Sequence, residues 1–321
     1  MDKQINKIFA LIGSYILTLL LSSPTVIAST GNPTPFSDEF DGAVDLLNNN
    51  TSGWSVLGSS VMDERATTVE INSGLLTVVP EVFAMNAWFE DEYGPLVYQL
   101  VTDNFAAVIN LRVSQTNNID LPPDLGFNAG GFVIRDPVGT HNGDENWIMY
   151  NMGGQGADGV TYAREMKKTV NSTSNLYLTE QVGMEEYLLA CRVGDNFYFY
   201  YWADAVNGWR QETYYNQFDV DGTQTTTWRN SGSVTPEITP AGMGQANPMH
   251  FNHPTMPSTV QVGIMGHTWS NGTNGTRADF DFIRFAPTAP TTQNDCTEAF
   301  TNLGDLIFVD DFEPAIIFTN Q

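Results

Sequence analysis

Along Phe197-Tyr-Phe-Tyr-Tyr-Trp202 every residue carries an aromatic ring. In an extended segment successive side chains point to opposite sides of a sheet, so both faces would carry large rings here. One set can join a core, and the other needs an occupant or a cover. Tyr198, Tyr200 and Trp202 have hydroxyls and an indole N–H, which suits them to the outward side, with Phe197, Phe199 and Tyr201 inward. Outward rings stack on the C–H faces of a pyranose while carboxylates and amides bond its hydroxyls. Trp147, Tyr150, Trp209 and Trp269 are candidate neighbours on adjacent strands or rim loops. The alternative is that a long loop, such as Thr223 to Pro257, roofs the rings as a second small core, and residue types leave both open.

Signals for covalent or acid–base chemistry are sparse. Glu90-Asp-Glu92 and Glu185-Glu186 are acidic clusters with the spacing of charged turns, and Asp136 with Glu145 is a pair that only folding could assemble. His250 and His253 stand three apart within Met249-His-Phe-Asn-His-Pro254, without a third donor at metal-ligand spacing. Neither Gly-x-Ser-x-Gly nor a phosphate loop occurs, and the Gly153-Gly-Gln-Gly156 turn is followed by no helical pattern. Cys191 lies in an apolar segment and Cys296 in a polar one; in an oxidising compartment they can pair, or remain a buried and a solvent thiol. CxxC and CxxH spacings are missing, which removes support for structural zinc.

The elements that must hold these residues read as strands. Short runs of Val, Ile, Thr, Tyr and Phe recur between Gly, Asn, Asp and Pro clusters, and helical periodicity is scarce. Strands are predicted over 74–79, 96–101, 105–113, 130–135, 146–151, 175–180, 187–193, 196–203, 259–268 and 277–285, with Gly194-Asp195-Asn196 as a hairpin turn. So many strands imply an all-β fold of two stacked antiparallel sheets or a barrel. Thr223 to Pro257 reads as a long excursion from the sheet, of the kind that borders ligand sites. The folded unit is expected to close at Phe285, with 286–321 a Pro/Thr linker and a short apolar-acidic tail at Leu306 to Glu313 that adds an edge strand or serves as a sorting signal.

Residues 1–28 have the form of a secretory signal peptide: Lys3 and Lys7, the apolar run Ile8 to Leu21, and the small-residue exit at Ala28. The run is shorter than a bilayer span requires, so no membrane span is expected after cleavage. Lys and Arg total 13 against 37 Asp and Glu, a formal charge of -24. Such a surface repels phosphate backbones and anionic membranes, which excludes a nucleic-acid partner and favours divalent cations. The 41% hydrophobic content is enough for a packed core and excludes disorder across the chain.

Two segments at opposite ends of the folded region, Phe36-Ser-Asp-Glu-Phe-Asp-Gly42 and Ala278-Asp-Phe-Asp-Phe-Ile-Arg-Phe285, resemble the terminal strands of the concanavalin A-like lectin/glucanase superfamily. Gly94-Pro-Leu-Val-Tyr-Gln99, Gly130-Gly-Phe-Val-Ile-Arg-Asp136 and Tyr187 to Trp202 are similar to its regulation-of-enolase and laminin-G-like branch. The resemblance spans Phe36 to Phe285 and implies a jelly-roll sandwich with its first and last strands side by side. It also implies a structural calcium held by the Asp281 side chain and the carbonyls of Asp38 and Gly74; the other reading is that Asp279 and Asp281 merely face solvent. Retaining glucanases of the superfamily carry a Glu-x-Asp-x-x-Glu run, which this chain lacks, as it lacks the Gln-Ile-His of the alginate-lyase branch. The expectation is therefore an exported glycan-binding domain that does not cleave its ligand. The alternatives are a glycoside hydrolase or polysaccharide lyase with a dispersed site, and an adhesive surface module anchored through its tail.

Overall fold

Alternation of apolar and polar residues in short runs drives the chain into paired strands, whose apolar faces are removed from water only by stacking one sheet on another. The computed structural model describes residues 36–57, 66–81, 88–91, 94–155, 161–181, 183–204, 207–212, 250–269 and 274–301. The chain divides into units 1–31 and 32–321, and all described residues belong to the second. The signal segment, most of the Thr223 to Pro257 excursion and the Leu306 to Glu313 tail lie outside them.

The strands, numbered along the chain, form two antiparallel sheets. The nine-stranded sheet runs β1 (Ala43–Asp45), β3 (Ala66–Asn72), β4 (Leu75–Pro80), β16 (Arg277–Phe285), β6 (Phe105–Ser114), β11 (Glu185–Val193), β12 (Asn196–Ala203) and β13 (Gly208–Gln211), with β14 (His250–Asn252) also pairing β12. The seven-stranded sheet runs β10 (Thr173–Gln181), β9 (Thr161–Val170), β8 (Trp147–Gln155), β7 (Asn128–Arg135), β15 (Thr259–Thr268), β5 (Val97–Thr102) and β2 (Ser55–Val56). This is an all-β sandwich of two antiparallel sheets, the architecture that the strand pattern left open beside a barrel and that the resemblance implied as a jelly roll. The early segment and the last strand do lie together: Asp38 and Ile283 exchange backbone hydrogen bonds of 2.8 and 2.9 Å. The predicted hairpin joins β11 to β12, with Gly194 at φ +61°, where an L side chain is strained.

One core fills the space between the sheets, built from Phe132, Ile134 and Tyr150 on one side and Ile109, Leu111, Phe197 and Phe199 on the other. Each sheet also carries a smaller apolar cluster on its outer face. On the seven-stranded sheet it comprises Trp88, Leu96, Val133, Trp147, Met149 and Met265. On the nine-stranded sheet it includes Val108, Leu189, Tyr200, Trp202, Phe282 and Phe300. That is why β6, β7, β11 and β15 are buried along both faces and read as nearly continuous apolar runs.

The folded unit does not close at Phe285. Ala286 N–H bonds the Ala106 carbonyl at 2.8 Å, and Asn104 Nδ2 donates to the Pro290 carbonyl at 2.8 Å. The segment then enters a short helix, α1 (Asp295–Glu298), whose Cys296 is disulfide-bonded to Cys191 on β11. Residues 286–300 are thus a strap over the outer face of the nine-stranded sheet, because linker composition counts for less than a covalent tie and the burial of Phe300.

Candidate functional site

The seven aromatic residues expected to form one platform are divided among three surfaces. Tyr198, Tyr200 and Trp202 face outward from the nine-stranded sheet as their polar tips suggested, with Trp209 beside Trp202, but the strap covers Tyr200, Trp202 and Trp209. Tyr200 and Trp202 are buried, the Trp209 indole N–H donates to the Phe300 carbonyl at 2.6 Å, and the Tyr200 hydroxyl reaches the Gln293 carbonyl at 3.5 Å. The cover is the chain's own C-terminal segment rather than the Thr223 to Pro257 loop. Tyr198, half-buried, stacks on His250 with ring centroids 5.6 Å apart. Tyr150 points between the sheets and donates its hydroxyl to Glu212 at 2.8 Å. Only Trp147 and Trp269 belong to the outer face of the seven-stranded sheet, Trp147 buried and Trp269 exposed at the rim.

That face carries the chemistry. Residues opposite one another across antiparallel strands share a side, so its rows follow from the register. One row is Lys167–Met149–Val133–Gly263, the next Glu165–Asn151–Gly131–Met265, and the third Ala163–Gly153–Ala129–His267. Two glycines and two alanines keep the floor low beside Glu165, Asn151 and His267. A Cβ on Gly131 would stand 2.4 Å from the Tyr150 carbonyl oxygen, and one on Gly153 2.3 Å from that of Asn128, so no side chain fits at either position.

The Lys167 ammonium lies 2.8 Å from Glu165 Oε1 and donates to the Trp88 carbonyl at 2.6 Å. Trp88 N–H donates to His267 Nδ1 at 3.4 Å, which leaves the imidazole proton on Nε2. Burial, and then the nearby Lys167 charge, hold the His267 pKa well below its ordinary value, so the ring is neutral. The Trp88 indole meets Trp147 edge to face at 5.6 Å, and Phe89 meets Trp269 at 5.5 Å. Among the described residues Glu165 Oε2, His267 Nε2 and Trp147 Nε1 are buried polar atoms with no hydrogen-bond partner. Each such atom costs about 1–3 kcal/mol when left without a partner, so a hydrogen-bonding occupant or an ordered water would stabilise all three.

Farther along the same face Arg135 grips Glu145 with bonds of 2.8 and 2.7 Å and Gln261 at 2.9 Å. Glu145 is therefore not paired with Asp136, whose carboxylate accepts the Val138 N–H in a turn. His250 and His253 also part: His253 Nε2 meets the Thr169 carbonyl at 2.8 Å while His250 stacks on Tyr198. A separate charged cluster lies between the sheets, where Arg164 bonds Glu212, sits 3.8 Å from Glu186 and covers the Tyr201 ring at 3.7 Å. Burial pushes the Glu186 carboxyl up to about 7, with Arg164 opposing and Glu212 adding to the shift.

The residues proposed for calcium all lie near one end of the β16 pairings. The β4–β16 ladder ends at Leu76 and Phe280; Gly74 lies two residues before Leu76, Asp281 directly follows Phe280, and Asp38 bridges Ile283 two residues on. Asp281 occupies a bulge that turns Phe280 inward and Phe282 outward. Asp279 does not face solvent: it is buried against Thr77 at 2.6 Å and Arg277 at 2.6 Å. No group of three or more His, Cys, Asp or Glu side chains suited to a metal occurs among the described residues, a criterion that one carboxylate with two carbonyls does not meet in any case. The oxygen-only donor set fits a hard cation.

Sequence reasoning missed Glu165, Lys167, Asn151 and Trp88. The local signal was weak: Glu165, Lys167 and Thr169 flank the apolar Met166, but Ala163 is apolar and Arg164 and Lys168 break the alternation.

No family model matches the sequence, and no curated protein matches it. Among solved structures the chain is similar to a functionally unknown protein from Saccharomyces cerevisiae, with 13% identity and a TM-score of 0.43 over 74% of this chain and 96% of that one. A xylan β-1,4-xylosidase from Bacillus halodurans C-125 is 14% identical with a TM-score of 0.47, over 78% of this chain and 39% of that one. A β-1,3-glucanase from Mycobacterium marinum is 12% identical with a TM-score of 0.39, over 79% and 99%. The chain thus spans about two fifths of the xylosidase's length.

Proposed function

We propose that the protein is an exported glycan-binding domain whose ligand occupies the outer face of the seven-stranded sheet, beside Trp88, Trp147 and Trp269. The observation that carries this reading is the trio of buried polar atoms without protein partners, Glu165 Oε2, His267 Nε2–H and Trp147 Nε1–H, set among aromatic rings. Sugar hydroxyls both donate and accept, and pyranose faces stack on indoles, so a glycan meets both requirements at once. Export rests on the N-terminal segment of the sequence, and a calcium at Asp281, Asp38 and Gly74 is proposed as a structural cofactor.

Binding without cleavage is favoured because the acids on this face already hold structure. Glu165 is bonded to Lys167, Glu145 to Arg135, and Asp91 accepts the Gly143 N–H at 3.0 Å and the Ser172 hydroxyl. Glu145 and Asp91 would have to give up such bonds to exchange a proton, while Glu165 keeps Oε2 without a protein partner, as an acceptor for a sugar hydroxyl. Glycan-array and polysaccharide pull-down screening with the secreted form tests the reading. Retention on at least one glycan without release of reducing ends or unsaturated products is expected, and no retention on any glycan would refute it.

A further inference from the structure

We infer that the ligand of the seven-stranded face is a neutral, polyhydroxylated sugar chain and that the face discriminates against uronic acids. The inference rests on the glycan-binding reading and narrows it.

The charge inventory carries the argument. Every cation that the described residues bring to this face is matched by a carboxylate: Lys167 stands 2.8 Å from Glu165, and Arg135 is held by Glu145 through bonds of 2.8 and 2.7 Å. The Lys167 ammonium also gives a bond to the Trp88 carbonyl at 2.6 Å, and His267 is neutral. Neither cation is left over to neutralise a ligand carboxylate. The acceptor without a partner is Glu165 Oε2, half of a carboxylate, and the donors without partners, His267 Nε2–H and Trp147 Nε1–H, are uncharged.

A hydroxyl can donate to Glu165 and accept from the imidazole or indole, whereas a uronate would bring a second negative charge beside the first in a site with almost no solvent to screen it. The formal charge of the whole chain, -24, adds a long-range term of the same sign against polyanionic glycans.

Calorimetric titration of the full secreted protein with neutral hexasaccharides (cello-, laminari-, xylo- and manno-series) and with hexagalacturonate and hexamannuronate tests the inference. Binding of at least one neutral series, at least tenfold tighter than either uronate at low ionic strength, is expected. Glu165→Gln with Lys167→Met, a double variant that leaves no buried unpaired charge, should weaken the neutral ligand at least tenfold; Trp147→Phe, which removes one indole donor while keeping a ring, should weaken it severalfold. Uronates binding as tightly as or tighter than the neutral series would overturn the neutral-ligand inference and leave glycan binding standing. A double variant that melts like the wild type and binds undiminished would overturn the placement on this face. Absence of binding to both classes would defeat the glycan reading itself.

Discussion

The indole N–H of Trp209 donates to the main-chain carbonyl of Phe300 at 2.6 Å, and this bond pins the strap across the aromatic face of the nine-stranded sheet. Trp209 in turn meets Trp202 edge to face at 5.4 Å, so two of the rings that a sugar would have stacked on pack against one another. An apolar outer face of this kind needs a cover, and the chain supplies its own.

The disulfide holding that cover closes a loop with a sequence separation of 105. Constraining a loop of about 100 residues stabilises the fold by roughly 4–5 kcal/mol on the chain-entropy estimate. The Cys191→Ser, Cys296→Ser double variant should therefore melt well below the wild type and bind a hydrophobic dye. Equal melting temperatures and no added dye binding would contradict the strap's role.

Most of the strand framework was legible because short runs of apolar, β-branched and aromatic residues stand between turn residues, and burial on both faces writes the nearly continuous apolar or aromatic runs of β6, β11 and β12. β9 was not legible as a strand. Its Arg164 and Lys168 interrupt the inner-facing pattern, and Arg164 is tolerated there only because Glu212, 48 residues away, meets it across the sandwich. Trp88 escaped notice for a related reason: its role depends on Lys167 and His267, remote in sequence and brought beside it by the β7–β8–β9 and β7–β15 pairings. The aromatic strand revealed its two-facedness, but no local pattern told which segment would cover it. The continuous apolar stretch Leu188-Leu-Ala-Cys191 was the available hint, since a strand apolar on both sides is covered on both sides.

Glu186 should tilt the stability profile. Its folded pKa of about 7 lies above the ordinary 4.5, so the native state holds the proton more tightly than the unfolded chain does. Stability from this group is then full below about pH 4.5 and is lost as pH rises through 7, by roughly 3 kcal/mol at 1.36 kcal/mol per unit. Glu186→Gln should flatten the fall in melting temperature between pH 5 and 8; an unchanged slope would count against the buried carboxyl.

His267 should act with the opposite sign. Its folded pKa is depressed by burial, so below pH 6.5 the unfolded chain takes up a proton that the native ring refuses. Stability falls on acidification by up to about 1.4 kcal/mol per pH unit from this one group. His267→Asn keeps an acceptor for the Trp88 N–H and should make the acid limb of a melting-temperature profile shallower. A limb of equal steepness would argue that the ring is solvated.

Calcium at Asp281 should raise the melting temperature, by an amount that grows with the logarithm of its free concentration above the dissociation constant. Chelator should remove the increment, and Asp281→Asn should abolish it. Coincident melting curves with calcium and with chelator would remove the ion from the account.

The most direct test compares the two faces in one binding experiment against the same neutral oligosaccharide. Tyr198→Ala alters the strapped face, and Glu165→Gln with Lys167→Met alters the seven-stranded face. Wild-type affinity in the first variant and at least a tenfold loss in the second is the predicted result. Full affinity in the second, with loss in the first, would return the ligand to the aromatic strand and contradict the site proposed on β8, β9 and β15.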